Sequence, residues 1–269
     1  MQRNPLAFAE ELWVARRAAA EAAALITARE GAGQVREKGR ADLVTAVDEA
    51  AEAVVLDRIR THFPDDHIVA EESASAAVEG GRRWIVDPVD GTVNFVHGHP
   101  FVCVSVAFAD EDGPAAGVIH APLLGEVYHA LRGGGAFLND HPIRVSTVED
   151  GEQALWATGF PFRKGKGDPE RYFRLVTDLL LTSHGIRRAG SAALDLAYVA
   201  AGRVDGFFEI GLAPWDLAAG LLLVEEAGGR VGVWPGDADR PLTTGRVIAT
   251  NGRVHGWLEE KVAAHSPPL

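Results

Sequence analysis

Arg83-Trp84-Ile85-Val86-Asp87-Pro88-Val89-Asp90-Gly91-Thr92-Val93-Asn94-Phe95 joins a short apolar run to a turn that carries two acids and a hydroxyl. The run reads as a buried strand, and Pro88 biases Asp87 toward extended geometry and keeps a helix from starting there. Asp90-Gly91 then turns the chain. Both carboxylates and the Thr92 hydroxyl would sit at a strand tip, where α/β proteins gather their ligands. A helical turn from Val93 would leave the amides of Gly91 and Thr92 pointing outward as an anion seat. The same residues would also suit an Asx-type turn followed by a helix cap, and the segment alone does not separate the two.

Acids elsewhere shift that balance. Glu71-Glu72-Ser73 follows a second apolar run, His67-Ile-Val-Ala70. Asp216, in Pro214-Trp-Asp-Leu-Ala-Ala-Gly220, falls in the first turn of an apolar helix, and Asp42 and Asp48 flank the start of another. Each has an ordinary structural reading: a solvated loop, compensation of a helix dipole, a cap. If they met in space they would raise one another's pKa values until a cation neutralised them. Hard carboxylate and carbonyl oxygens suit Mg²⁺, which also binds substrate phosphate.

The hydrophobic pattern supplies the frame. Asn4-Pro5 reads as cap and first helical residue of an Ala-rich helix from Leu6 to about Arg29, stopped by Gly31-Ala-Gly33. A second helix runs from near Thr45 to His62 on a stripe of Val47, Ala51, Val54, Val55 and Ile59. Residues 101–109, 116–121 and 126–131 read as antiparallel strands between turn-forming segments. Beyond residue 154 strands (154–158, 204–210, 247–250) alternate with helices (169–183, 191–201, 215–227, 253–264). An α+β half (1–145), with most of the acids, thus precedes an α/β half (146–269) that carries Asp216. The break near 145–153 is too weak for two independent domains, so 1–269 is read as a single catalytic unit.

Composition narrows the class. Hydrophobic residues make up 47% and charged residues 24%, values of an ordinary globular protein. No apolar run is long enough to span a bilayer and the first residues lack a signal-peptide pattern, so a cytoplasmic protein without a membrane partner is expected. The net charge of −12 disfavours a nucleic-acid partner. Cys103, the single cysteine, lies in an apolar strand and reads as a core residue.

Glu71-Glu72-Ser73, Asp87-Pro-Val-Asp-Gly-Thr-Val-Asn-Phe-Val-His-Gly98 and Trp215-Asp-Leu-Ala-Ala-Gly220 resemble, in order and spacing, the three motifs of the inositol monophosphatase family. Residues 157–162 and 190–211 are similar to its bacterial inositol-1-monophosphatase branch. The resemblance implies an α/β (α+β) fold, a layered α-β-α-β-α sandwich of the sugar/inositol phosphatase type, and a homodimer. It implies two or three Mg²⁺ ions: Glu71, Asp87, the Val89 carbonyl and Thr92 would hold the first, and Asp87, Asp90 and Asp216 the second. A third, weaker ion would be shared near Glu71. Asp48, with Thr92 and beside Glu71, would orient a metal-activated water for in-line attack on phosphorus without a phosphoenzyme, following two-metal logic. Gly91 and Thr92 amides would seat the phosphate, and Asp90, the Ala192 backbone and Glu209 would meet the hydroxyls of a small phosphorylated polyol.

The substrate so implied is inositol 1-phosphate, with histidinol phosphate, fructose 1,6-bisphosphate and 3′-phosphoadenosine 5′-phosphate as alternatives. Four departures from the family pattern stand out: Ala70 for Gly, Val93 for Thr, Ala213 for a larger polar residue, and Lys38 one residue out of register. His97-Gly-His99 raises Zn as a competing metal. No Gly-x-Ser-x-Gly, Walker-type or dinucleotide-binding glycine motif occurs, which removes those chemistries. A non-catalytic interaction protein on the same fold would be expected to lose a metal acid, and every one is present.

Overall fold

The computed structural model describes residues 7–28, 35–39, 42–73, 80–160 and 168–265. Helix α1 (Ala9–Ala28) is followed by a hairpin of β1 (Val35–Gly39) and β2 (Asp42–Thr45), then by α2 (Ala46–His62). Next come β3 (His67–Ala70), β4 (Arg83–Asp90), the short α3 (Thr92–Val96), β5 (Cys103–Asp110), β6 (Gly113–Ala121), β7 (Glu126–Leu131), β8 (Gly135–Leu138) and β9 (His141–Pro142). The remainder is β10 (Leu155–Thr158), α4 (Pro169–Thr182), β11 (Gly185–Arg187), α5 (Ala192–Ala200), β12 (Gly206–Ile210), α6 (Pro214–Glu226), β13 (Arg230–Val233), the short α7 (Pro241–Thr244), β14 (Arg246–Thr250) and α8 (His255–His265).

Strands β3 to β9 form one seven-stranded sheet in chain order; β3 and β4 run parallel and the other neighbours antiparallel. The second sheet has the order β11-β10-β12-β14-β13. Its first three strands are parallel, as the alternation of strand and helix predicts, but β14 runs antiparallel to both β12 and β13.

Side-chain size along the strands sets the layers. On β5, Val104, Val106 and Phe108 pack toward α1 and α2, while Cys103, Ala107 and Ala109 face α5 and α6. This is the period of two expected of a strand buried on both faces. The bulky face meets the small residues Ala15, Ala18, Ala22 and Ala51 of the outer helices; the small face leaves room for Leu217, Leu221 and Leu222 of α6. Helices α5 and α6 are apolar nearly all round because both lie between the two sheets. On the far side, Trp156, Phe208 and Ile248 of the second sheet pack against Tyr172, Leu175 and Leu179 of α4 and Leu258 and Val262 of α8. The order α1/α2, sheet, α5/α6, sheet, α4/α8 is the five-layer sandwich anticipated.

Some local expectations change. Asp42 belongs to a strand, and α2 begins only at Ala46 behind the cap Thr45. The β1–β2 hairpin is built from the charged stretch Val35-Arg-Glu-Lys-Gly39, which lacks any strand pattern. Lys38 lies on β1; the placement of its side chain, the Asn4-Pro5 cap and the Gly31-Ala-Gly33 stop lie outside the described residues. Among the described residues no helix is long and apolar enough to cross a membrane.

Candidate active site

Strand β4 runs to Asp90, further than its apolar run, and bulges at its tip: Asp87 pairs with Ser105 and Asp90 with Cys103, so β4 has one residue more than β5 in between. The bulge is held from within, because the Val89 amide donates to Asp87 Oδ1 at 3.0 Å. Gly91 follows with φ +96° and caps α3. A Cβ there would lie 2.9 Å from the Phe101 carbonyl oxygen, so both the left-handed backbone and the crowding select glycine. Asp87, the Val89 carbonyl, Asp90 and Thr92 thereby occupy one turn at the tip of β4, the strand-end position read from the sequence.

Two other elements bring acids to that turn. Asp216 stands in the first turn of α6, where its Oδ2 accepts from the Ala213 amide at 2.7 Å; Ala213 caps the helix only with its backbone. Oxygen atoms of Asp87, Asp90 and Asp216 lie within 4.8 Å of one another. Glu71, directly after β3, is within hydrogen-bonding reach of Asp87. Two carboxylates sustain that contact only with a proton or a cation between them. Glu72 turns away, its amide donating to Glu52 of α2 at 2.8 Å.

Asp48 sits beside this group, fully buried. It closes a capping box on α2: Asp48 Oδ2 accepts from the Thr45 amide at 3.0 Å and from the Thr45 hydroxyl. Its Oδ1 accepts from the Thr92 hydroxyl at 3.1 Å. The Val89 carbonyl is also 3.1 Å from the Thr92 oxygen, so one hydroxyl hydrogen serves two acceptors.

Electrostatics follow from burial and crowding. Burial, then the charges of Glu71, Asp90 and Asp216, hold the Asp87 carboxyl well above the usual carboxylate range. Asp90 is pushed up to about 6 by burial, against the Ser191 hydroxyl and the amides of Ala193 and Ala192, which favour its charged form. Ser191 Oγ and the Ala193 amide donate to Asp90 Oδ2 at 2.6 and 2.8 Å. Burial also raises Asp48, with the Thr45 and Thr92 donors opposing. Clustered, desolvated carboxylates with raised pKa values call for a divalent cation, and an all-oxygen donor set fits Mg²⁺. Among the described residues the metal-competent group is Asp87, Asp90 and Asp216 and contains no imidazole, which removes the argument for Zn at His97 and His99. His99 instead accepts from the Phe101 amide.

The predicted alcohol-side residues come from the second sheet and α5. Ala192 is the first residue of α5, with its amide turned to Asp90. Glu209 lies on β12, 9% exposed, and its carboxylate occupies the space above Gly159, where a Cβ would be 2.0 Å from Oε1. Val93 is exposed, so the hydroxyl that it lacks would have met solvent. Thr45 and Ser191 orient Asp48 and Asp90 and were not singled out from the sequence. The Thr-x-x-Asp spacing of a capping box was the available signal for Thr45; nothing in sequence links Ser191 to Asp90, 101 residues away.

Residues 9–267 match the inositol monophosphatase family. The inositol-1-monophosphatase of Synechocystis sp. is 44% identical over 235 residues, 86% of this chain and 80% of that protein. The Nus factor SuhB of Escherichia coli is 47% identical over 222 residues, 82% of each chain. Among solved structures, the extragenic suppressor protein suhB from Bartonella henselae has a TM-score of 0.87 at 39% identity, covering 94% of this chain and 98% of that one. The chain belongs to the inositol monophosphatase family and is a phosphomonoester hydrolase.

Proposed function

We propose that the chain hydrolyses a small polyol phosphomonoester, inositol 1-phosphate first, with Mg²⁺ bound by the acids at the tip of β4. The observation that carries this reading is the convergence of Asp87, Asp90 and Asp216 within 4.8 Å, beside the buried Asp48–Thr92 pair. Glu71, Asp87, the Val89 carbonyl and Thr92 would hold one ion and Asp87, Asp90 and Asp216 another, with a third, weaker site near Glu71. Bound Mg²⁺ supplies Lewis acidity toward water, the phosphoryl oxygens and the departing alkoxide.

The chain's own groups do the rest. Asp48, fixed by Thr45, is an acceptor that cannot turn away, and once the Val89 carbonyl is engaged elsewhere the Thr92 hydrogen is committed to Asp48. Thr92 then presents its lone pairs outward and, with Glu71, orients the attacking water; as Thr92 accepts a proton from that water its own hydroxyl hydrogen passes to the Asp48 carboxylate, which ends the step protonated. The amides of Gly91 and Thr92 begin α3 and face the phosphate. Cys103 is fully buried with its thiol pushed up by burial, so it offers no covalent route. Asp90, the Ala192 backbone and Glu209 would receive the hydroxyls of the leaving alcohol. The whole chain is read as one catalytic unit, acting as a cytoplasmic homodimer by its family resemblance and without a nucleic-acid partner at a net charge of −12.

Phosphate release from inositol 1-phosphate, histidinol phosphate, fructose 1,6-bisphosphate and 3′-phosphoadenosine 5′-phosphate, ranked by kcat/KM at saturating Mg²⁺, tests the substrate. Inositol 1-phosphate is expected to lead. A lead by another member replaces the substrate, and no turnover of any of them overturns the reading.

A further inference from the structure

Asp195 is the fourth residue of α5 and only 3% exposed. A carboxylate at that depth is ordinarily met by hydrogen-bond donors or a cation. Among the described residues none hydrogen-bonds or ion-pairs with it. What it meets is charge of its own sign. Glu209 of β12 is its strongest charged neighbour and Asp90 the next, and with burial they push its carboxyl well above the usual range. The Arg188 guanidinium, 5.6 Å from the centre of the Phe160 ring, opposes them more weakly.

The helix does not need this acid. Its first amides are already satisfied: those of Ala192 and Ala193 by Asp90, that of Leu194 by the Ser191 hydroxyl, and that of Asp195 by the Ser191 carbonyl. An apolar residue or Asn at 195 would spare the fold the cost of a desolvated, like-charged pair. A buried acid that costs stability and has no structural partner is the pattern of a site group awaiting a ligand.

We infer that Asp195 is a second hydroxyl acceptor of the leaving-alcohol pocket, paired with Glu209, and that the two select an alcohol with adjacent hydroxyl donors. This rests on the polyol-phosphatase reading above. A vicinal diol supplies one hydrogen to each carboxylate; a phosphate ester without hydroxyls leaves Asp195 unmet, the arrangement that gives large discrimination against an analogue lacking the donor.

The test is the selectivity ratio, kcat/KM for inositol 1-phosphate over that for p-nitrophenyl phosphate, in the wild type, Asp195→Asn and Asp195→Ser at saturating Mg²⁺. In both variants the ratio is expected to fall about tenfold through a higher KM for inositol 1-phosphate. The melting temperature of Asp195→Asn without substrate should equal or exceed that of the wild type. The serine variant reads the same ratio should the asparagine variant not fold. A wild-type preference that survives unchanged in the variants overturns the role of Asp195 alone. A wild type with no preference for inositol 1-phosphate overturns both this inference and the polyol reading.

Discussion

At the proposed phosphate end three of the acids lean on donors close by in sequence, Asp48 on Thr45, Asp87 on the Val89 amide and Asp216 on the Ala213 amide, while Asp90 reaches across the fold to Ser191 and Ala193. At the proposed alcohol end, Glu209 from β12 fills the space above Gly159, just past β10, and buried Asp195 of α5 feels its charge with no hydrogen-bond partner among the described residues. The first group is oriented by turns and caps that form wherever those few residues fold. The second exists only once α5 and two strands of the second sheet have packed. A reaction centre built locally tolerates change elsewhere, whereas a recognition surface built from tertiary placement can be altered by one side chain without disturbing the chemistry.

The largest effect that would sharpen this contrast is expected at Asp48. Asp48→Asn keeps the shape but weakens the acceptor behind Thr92, so kcat should fall by about 100-fold or more while Mg²⁺ affinity changes little. Steady-state kinetics over a Mg²⁺ titration would show it. Normal turnover at saturating Mg²⁺ with weakened metal binding would instead place Asp48 among the ligands.

A smaller effect is expected at the other end. Gly159→Ala puts a methyl where the Glu209 carboxylate now lies, forcing that carboxylate aside. KM for inositol 1-phosphate should rise by about fivefold with Mg²⁺ dependence unaltered, since displacement of one positioning group costs on the order of 1 kcal/mol. A change in Mg²⁺ dependence would mean that the two ends are not separable.

The smallest expected effect is on stability. Asp90 titrates near 6 in the fold, above its unfolded value, so its neutral form stabilises the metal-free protein. That stabilisation is complete below about pH 4 and is lost as pH rises through about 6. Asp90→Asn, whose side chain stays neutral, should therefore match the wild type near pH 4 and melt a few degrees higher near pH 7 in EDTA, a difference of roughly 1–2 kcal/mol. Saturating Mg²⁺ should erase the advantage. Thermal melts at the two pH values check it, and an advantage confined to low pH would contradict the assigned direction.

How much of this was legible in the sequence follows the same division. The β4 tip could be read because Pro88, Gly91 and the flanking acids each impose a local geometry, and a capping residue beside periodic apolar residues announces α2. Apolar runs marked the buried strands and helices, but their stacking into five layers was anticipated only from the family resemblance. Less visible were β8, β11 and β13, short segments rich in glycine or arginine whose pairing is decided by neighbours. Asp195 gave no signal at all. In sequence it is an acid in the first turn of a helix, an expected place for one; only the fold reveals that it is buried, unneeded by the helix and within the field of Glu209.

The central claim is that Asp87, shared between the proposed ions, makes hydrolysis depend on a divalent cation. It is tested most directly by the initial rate of phosphate release from inositol 1-phosphate, measured over a Mg²⁺ titration in the wild type and in Asp87→Asn. The expected result is a rate that saturates with Mg²⁺ and vanishes in EDTA for the wild type, and that stays at least about 1,000-fold lower at every Mg²⁺ concentration for the variant. A wild-type rate indifferent to EDTA, or an Asp87→Asn variant with wild-type turnover, would contradict it.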